Sequence, residues 1–255
     1  MLTFRAIGNW SERDVFVAWT NDGRQRIPAV EDQIDRAWAE ATERLGDRLF
    51  DGPMCRLEEC DAAPEALRLW VSPTSYKPFL GTNLTNRHVP AAARANPLGL
   101  SVALSTCDEW LMLGRRNAAV AYYPNRVHPI AGALEPSEAL NVFDGVRREL
   151  AEELHLTGKD IGGIRCLGLI EDAQLRQPEL IFAMRTPRTR TDVEAMLDSA
   201  EHHACVAVEA TSDAVGEATR DPLMTPVAVG TLALWGRLAF GGGWYSSIRS
   251  AIEAR

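Results

Sequence analysis

The sequence has no long uninterrupted run of apolar residues. Its longest mostly apolar stretch, Pro226 to Phe240, contains Arg237 and is shorter than the roughly 20 residues that a membrane-spanning helix needs. The first residues also lack the apolar segment of a secretory signal. We therefore expect no membrane partner.

Cysteines are few, odd in number and never arranged as a CxxC pair. An odd set at wide spacing does not suit a disulfide framework and is typical of reduced thiols, so we expect a cytoplasmic protein. The five cysteines are Cys55, Cys60, Cys107, Cys166 and Cys205.

Positive charge is in the minority, with 27 Lys and Arg against 35 Asp and Glu and a net charge of −8. A partner made mostly of phosphate backbone needs Lys and Arg to displace its counterions, so we expect no nucleic-acid partner. The hydrophobic fraction of 46% and the charged fraction of 24% are ordinary for a globular protein. They exclude wholesale disorder, and the length suits one large domain or two modest ones.

The first hundred residues alternate strand-like and helix-like patterns. Leu2 to Ile7 and Asp14 to Trp19 are short apolar runs separated by a polar turn, which predicts a hairpin. Asp32 to Leu49 has apolar residues at helical spacing. The tract Ala91 to Pro97 is typical of a connection, so we predict a small α+β N-terminal domain over residues 1–96.

From Leu98 onward the pattern changes. Two apolar runs, Gly99 to Thr106 and Glu109 to Arg116, predict a second hairpin. Val142 to Leu156 has a strong helical pattern, and Pro226 starts a final helix. The order of elements favours an α/β fold over residues 97–255, with helices packed on both faces of a mixed sheet.

Three glutamates within the predicted helix crowd one patch of its surface. Glu149, Glu152 and Glu153 stand at positions i, i+3 and i+4, an arc of about 100°. Carboxylate oxygens are the ligands that Mg²⁺ or Mn²⁺ prefers, above all with substrate phosphates. The alternative is a solvated helix face on which Glu and Arg pair across turns.

The segment from Gly132 to Leu156 resembles the Nudix box of the Nudix hydrolases. Nine residues, two more than usual, separate its first glutamate from its arginine, and His155 replaces the glycine that normally follows the paired glutamates. The positions that carry the resemblance are Gly132, Glu138, Arg148, Glu149, Leu150, Glu152 and Glu153.

The long loop and the segments Ser75 to Leu84 and Leu98 to Arg116 are similar to one branch of the family, animal Nudix hydrolases that cleave UDP-glucose and UDP-galactose. The resemblance implies a Nudix α/β/α sandwich and metal-dependent hydrolysis of a UDP-sugar to UMP and sugar 1-phosphate. Mg²⁺ would be the cofactor, with Mn²⁺ as an alternative. The alternatives are another nucleoside diphosphate substrate, such as ADP-ribose, and a sensor that binds a nucleotide sugar without cleaving it.

The resemblance also implies roles for single residues. The metal ligands would be Glu149, Glu152 and Glu153, and Arg148 would hold a glutamate in position. A further glutamate from outside the box often serves as base or ligand in this family. Glu179 is the first candidate and Glu171 the second, and for each a solvated carboxylate at a loop end is the alternative.

A nucleotide sugar offers a flat base and two phosphates, which aromatic rings and cations can contact. For the candidates between Tyr76 and Asn83 the alternative is a structured loop, and for Arg115 and Arg116 it is a pair of surface charges. The oligomeric state and the preferred sugar stay open. The substrate-binding candidates are Tyr76, Lys77, Phe79, Gly81, Thr82, Asn83, Arg115 and Arg116.

Overall fold

The computed structural model describes residues 2–86, 88–138, 140–198 and 202–253. The strands are β1 (Leu2–Trp10), β2 (Val15–Trp19), β3 (Pro53–Ala63), β4 (Ala66–Ser75), β5 (Gly99–Ser105), β6 (Trp110–Arg116), β7 (Val127–His128), β8 (Ile130–Ala133), β9 (Arg165–Asp172), β10 (Gln177–Arg185) and β11 (His202–Glu209). The helices are α1 (Pro28–Leu45), α2 (Tyr76–Phe79), α3 (Val142–Leu154), α4 (Arg190–Met196), α5 (Ser212–Ala218), α6 (Pro226–Phe240) and α7 (Gly242–Glu253).

Two sheets organise the described part of the chain. The larger has the order β1-β9-β10-β5-β6-β11, with β8 paired to β5 and β7 paired to β6. Strands β10 and β5 run parallel, and the other pairs in this sheet are antiparallel, so it is mixed. The smaller sheet has the order β2-β4-β3.

Helices cover both faces of the larger sheet. Successive residues of a strand point to opposite faces, and here the residues on both faces are apolar. Leu180 and Phe182 of β10 belong to one buried cluster together with Val146 of α3. Ile181 belongs to a second cluster together with Leu232 of α6. The α/β class with a mixed sheet between helices is therefore confirmed.

The predicted pairing of the first two strands is wrong. Instead of forming a hairpin, β1 pairs with β9 in the larger sheet, and β2 pairs with β4 in the smaller one. The smaller sheet nevertheless shares a core with the larger, since Leu57 and Leu69 lie in the same buried cluster as Leu100. The hairpin of β5 and β6 is confirmed by the antiparallel pairs Leu104–Met112 and Ser105–Leu111.

Proline fixes the start of two helices. Helix α1 begins at Pro28 and ends before Gly46, a few residues earlier at both ends than the apolar spacing predicts. Helix α6 begins at Pro226, and the Thr225 hydroxyl accepts a hydrogen bond of 3.1 Å from the Ala228 amide. Proline suits a first turn because the amide that it lacks has no partner within the helix. No helix of the described ranges is long and apolar enough to cross a membrane.

Candidate active site

Helix α3 is held against the larger sheet by its apolar side. Val146, Leu150 and Leu154 are fully buried there, as their spacing predicts. At the start of the helix, the side chain of Asn141 accepts a hydrogen bond of 3.1 Å from the Phe143 amide. Such a cap satisfies one of the amides that the first turn leaves without a partner.

The helix ends at His155, which takes the left-handed conformation with φ 53° and ψ 22°. This is the position at which the Nudix box normally has glycine. Glycine adopts left-handed φ without a steric penalty, whereas histidine does so at a cost. The turn geometry is therefore present although the glycine is not.

The three helix glutamates do not share one environment. Glu149 and Glu153 are buried, with 6% and 7% of their surface exposed. The side chain of Glu152 is 58% exposed. Since successive helix residues are turned by about 100°, Glu152 points away from the sheet while Glu153 points toward it.

Contacts from two strands hold Glu153 in place. Its carboxylate lies 3.2 Å from Nδ1 of His202 at the start of β11. The Ala131 amide of β8 donates a hydrogen bond of 3.4 Å to the other carboxylate oxygen. Glu153 is thereby tied to the strand that also carries Gly132.

Arg148 connects the loop before the helix to the carboxylates on it. Its Nε donates to Glu138 at 2.8 Å, and Nη1 donates to Glu152 at 2.9 Å. Its Nη2 donates to the Ala133 carbonyl at 2.9 Å and lies 2.8 Å from Glu149. Burial alone would lower the pKa of Arg148, but the hydrogen bond that it donates to Glu138 and the negative charges of Glu149, Glu138 and Glu135 raise the pKa. Arg148 is thus a charged clamp on three glutamates.

Two glycines leave room for two carboxylates beside the strands. A β-carbon on Gly132 would overlap the Glu149 carboxylate, and one on Gly99 would overlap the Glu179 carboxylate. Gly132 pairs with Leu100 on β5, the residue after Gly99. The two carboxylates therefore lie over neighbouring positions of paired strands.

A cavity of about 340 Å³ opens next to these carboxylates. Its lining combines Gly132 of the Nudix box with candidate residues from the N-terminal part of the chain, from β6 and from β10. Its walls include Tyr76, Phe79, Arg116, Tyr122, Gly132 and Glu179.

Glu179 supplies the carboxyl group in the lining of this cavity. Only 4% of its surface is exposed, and the Ser101 hydroxyl donates to it at 2.5 Å. Burial raises the pKa of Glu179 to about 8, with contributions in the same direction from Asp172 and Glu149. The hydrogen bond from Ser101 and the charge of Arg116 oppose that rise. Burial therefore favours the protonated form of Glu179. The second candidate, Glu171, lies outside the cavity and pairs with Arg5 at 3.3 Å.

Aromatic rings form one side of the cavity. The guanidinium carbon of Arg116 lies 4.6 Å from the centre of the Tyr122 ring, which meets Phe79 edge to face at 6.2 Å. Phe79 in turn meets Tyr76 at 6.2 Å. Tyr122 was not among the sequence candidates, although the Tyr122–Tyr123 doublet in the loop that follows Arg116 is a signal that could have found it.

The other candidates of the Ser75 to Leu84 segment lie elsewhere. Lys77 faces α1 and pairs with Asp35 at 2.7 Å. Gly81 packs against Ile34 of the same helix. Buried Thr82 accepts a hydrogen bond of 3.0 Å from the Ala95 amide.

Asn83 is also buried and connects separate loops. Its side-chain amide donates to the Leu175 carbonyl at 3.0 Å and to the Arg176 carbonyl at 3.3 Å. Its side-chain oxygen accepts from the Asn96 amide at 3.3 Å. The segment therefore supplies Tyr76 and Phe79 to the cavity and uses its remaining candidates as packing and hydrogen-bonding residues.

The two strand-end arginines also separate. Arg116 is buried and lines the cavity. Arg115 points elsewhere and donates to the Asn125 carbonyl at 3.2 Å. This is the alternation expected of neighbouring residues on a strand.

The candidate metal ligands can be tested against the donors present. Within the ranges that the structure describes, no three His, Cys, Asp or Glu side chains are gathered as a complete metal centre. Mg²⁺, however, is commonly held by one or two carboxylates together with water and substrate phosphates. Glu149 lies against Gly132, and Glu153 is buried one turn further along α3, so these two carboxylates are oxygen donors of the kind that suits such an ion.

Curated proteins similar to this chain carry one name. The human uridine diphosphate glucose pyrophosphatase NUDT22 is 32% identical over 148 residues, which cover 51% of this chain and 48% of that protein. The mouse protein of the same name is 31% identical over 190 residues, covering 61% of each chain. The chain thus spans about half to three fifths of the length of these relatives. No family model matches the chain.

Some solved structures also resemble part of this chain. DR0079 from Deinococcus radiodurans is 16% identical, with a TM-score of 0.43 over 58% of this chain and 87% of that one. The NUDIX domain of Shewanella oneidensis NrtR, solved with ADP ribose, is 14% identical, with a TM-score of 0.43 over 59% of this chain and 94% of that one. The curated relatives confirm the family resemblance of the sequence: the chain is similar to proteins named uridine diphosphate glucose pyrophosphatase NUDT22.

Proposed function

We propose that the chain is a Nudix hydrolase that splits the diphosphate of a UDP-sugar, UDP-glucose or UDP-galactose, into UMP and sugar 1-phosphate. The observation that carries the proposal is the sequence match to curated UDP-glucose pyrophosphatases. The arrangement of Arg148, Glu149 and Glu153 beside a cavity large enough for part of such a ligand supports it. We propose a small nucleotide sugar as the binding partner.

The carboxylates of α3 would hold a divalent cation, Mg²⁺ or Mn²⁺. Glu149 and Glu153 are the inner ligands in this proposal, and Glu152, whose side chain is 58% exposed, would be the outer ligand. A cation bound there supplies positive charge that neutralises the diphosphate and lowers the pKa of a bound water. Hard oxygen donors of this kind suit Mg²⁺ better than softer metals.

Arg148 acts as a positioning residue rather than as a substrate contact. Its guanidinium fork orients Glu149 and Glu152 through charge-assisted hydrogen bonds and fixes the loop at Glu138. It also reduces the repulsion between these carboxylates while no cation is bound.

Glu179, which lines the cavity, transfers a proton in this proposal. As a neutral carboxyl group it donates a proton to a phosphate oxygen, and once ionised it accepts one from water. Its burial makes either state responsive to the charges of the bound diphosphate. The hydrogen bond from Ser101 fixes which oxygen is free to act.

Arg116 would bind the phosphates of the uridine diphosphate. The aromatic wall, formed by Tyr76, Phe79 and Tyr122, would bind its uracil. An arginine fork fits phosphate oxygens in a bidentate manner. The faces and edges of Tyr76, Phe79 and Tyr122 offer an apolar contact for uracil. We propose these four residues as substrate contacts.

A substrate panel tests the proposal. Purified protein is incubated with UDP-glucose, UDP-galactose, ADP-ribose and a dinucleotide, each with Mg²⁺ and with chelator, and products are separated by anion exchange. UMP from a UDP-sugar, and only with Mg²⁺, is the expected result. Cleavage of ADP-ribose alone would overturn the substrate assignment, and binding of UDP-glucose without any product would favour a sensor.

A further inference from the structure

A second pocket, of about 300 Å³, is lined by four arginines. This concentration of positive charge stands out in a chain whose net charge is −8. Two glutamates accompany the arginines, so the six ionisable side chains leave an excess of positive charge. The charged residues of this arginine pocket are Arg5, Arg56, Arg94, Arg176, Glu58 and Glu171.

Two of the arginines already have acidic partners. Arg5 pairs with Glu171 at 3.3 Å, and Arg56 forms an ion pair with Glu58. Arg56 also donates from Nε to the Arg94 carbonyl at 3.1 Å. These pairs neutralise the two glutamates and fix the edges of the pocket.

The other two arginines supply the unneutralised charge. The side chains of Arg94 and Arg176 make no hydrogen bond or ion pair with another residue in the part of the chain that the structure describes. Arg94 is 9% exposed, and its Nε is buried without a hydrogen-bond partner among those residues. Burial and the nearby charge of Arg176 lower the pKa of Arg94, and the charge of Glu171 opposes this only in part. A buried guanidinium beside a like charge is costly until an anion meets it.

The buried side chain of Asn83 supports the backbone that lines this pocket. Its side chain binds the backbone of Asn96 and of Arg176, both of which line the pocket. These two residues have φ values of 40° and 52°, in the left-handed region that residues other than glycine seldom adopt. Hydrogen bonds from one buried side chain therefore hold both arms of the pocket in place.

The arginine pocket is separate from the cavity that holds Glu179. Asn96 lines the pocket whereas Pro97 lines the cavity, and Pro178 lines the pocket whereas Glu179 lines the cavity. Consecutive residues of the same two segments thus face the two spaces. An anion in the pocket would touch neither the α3 carboxylates nor Arg116.

We propose that the arginine pocket binds a phosphate group, either as inorganic phosphate or as a phosphate monoester, through Arg94 and Arg176. Guanidinium groups match phosphate oxygens in charge and in geometry, and a dianion would relieve the repulsion between the two arginines. The inference does not depend on the proposed hydrolase activity.

Calorimetric titration with inorganic phosphate and with glucose 1-phosphate, in the absence of divalent cations, tests this site. We expect binding to the unmodified chain and a loss of affinity of about tenfold or more in Arg94→Gln and in Arg176→Gln. Arg36→Gln, an exposed charge on α1 outside the pocket, is the matched control and should bind normally. Arg116→Gln removes the arginine of the cavity, so the phosphate binding that we expect to persist in this variant is binding outside the cavity.

The proposal fails if the unmodified chain binds neither anion. It also fails if Arg176→Gln binds like the unmodified chain, if Arg116→Gln loses the binding instead, or if Arg36→Gln loses it equally. Melting temperatures are measured for every variant. If Arg94→Gln does not fold, Arg176→Gln decides the outcome, because the Arg176 side chain is partly exposed and makes no hydrogen bond with another described residue.

Discussion

The carboxylate of Glu149 occupies the space that a β-carbon on residue 132 would fill, so its position depends on Gly132. These residues come from different elements, since Gly132 lies on β8 and Glu149 on α3. The spacing of a glycine and a glutamate in the sequence thus becomes a close approach between a strand and a helix. Gly99 and Glu179 repeat the relationship on the neighbouring strands.

Gly132→Ala should displace the Glu149 carboxylate and lower kcat/KM for UDP-glucose. A displacement of about 1 Å in a catalytic group costs about 100-fold in rate, which sets the expected loss. Steady-state kinetics with Mg²⁺ provide the measurement. Gly163→Ala is the control, because the structure has open space where its β-carbon would lie. Equal activity of the two variants would contradict the role assigned to Gly132.

Arg148→Lys should weaken the apparent affinity for Mg²⁺ by about 10- to 100-fold. Lysine keeps the charge but lacks the fork that contacts Glu138 and Glu149 together. The Mg²⁺ dependence of turnover measures the effect. Arg147→Lys is the control on the same helix, since Arg147 pairs with Glu12 instead. If both variants show the same Mg²⁺ dependence, Arg148 does not position the metal ligands.

Glu179→Gln should remove a pH dependence of stability. Burial raises the pKa of Glu179 from 4.5 to about 8, so the folded chain keeps a proton that the unfolded chain releases. The resulting stabilisation is complete below pH 4.5 and is lost as the pH rises through about 8. Relative to Glu179→Gln, the free energy of unfolding should fall by up to about 1.4 kcal/mol per pH unit in that window.

Urea titrations between about pH 5 and pH 8 supply these free energies. Glu40→Gln, an exposed change on α1, controls for the loss of a surface carboxylate. Parallel curves for the unmodified chain and Glu179→Gln would show that the carboxyl group of Glu179 titrates normally.

Tyr122→Leu should raise KM for UDP-glucose by about tenfold, because stacking of a base on an aromatic ring is worth about 1–3 kcal/mol. The value of kcat should change less, since Tyr122 lies on the aromatic side of the cavity, where its ring meets Phe79 and Arg116. Phe16→Leu on β2, where the ring is 54% exposed, is the aromatic control. An unchanged KM in Tyr122→Leu would remove the aromatic wall from the uridine site.

Local patterns predicted the parts of the fold whose contacts lie close in sequence. The apolar stripe of α3 and the β5–β6 hairpin follow from spacing within one segment. The partner of β1 did not follow, because β1 crosses to β9, far along the chain, and its own residues only indicate that it is a strand. Pairing at such separation is decided by the assembled core rather than by a local turn.

The candidate site shows the same division. The box motif predicted that Arg148 would hold glutamates, because all its partners lie in one segment, and its contacts with Glu138, Glu149 and Glu152 agree with that prediction. Sequence did not separate Arg116 from Arg115, since which of two adjacent strand residues faces a cavity depends on register. Nor did it reveal that Asn83 would support an arginine pocket.

The most direct measurement compares UMP release from UDP-glucose in Mg²⁺ by Glu153→Gln and by Asp144→Asn, with thermal melts of both. Asp144 lies on the same helix but its carboxylate pairs with Arg147 on the exposed side. We expect Glu153→Gln to lose turnover by orders of magnitude and to melt close to the unmodified chain, while Asp144→Asn stays active. Equal turnover in the two variants would contradict catalysis by the α3 carboxylates.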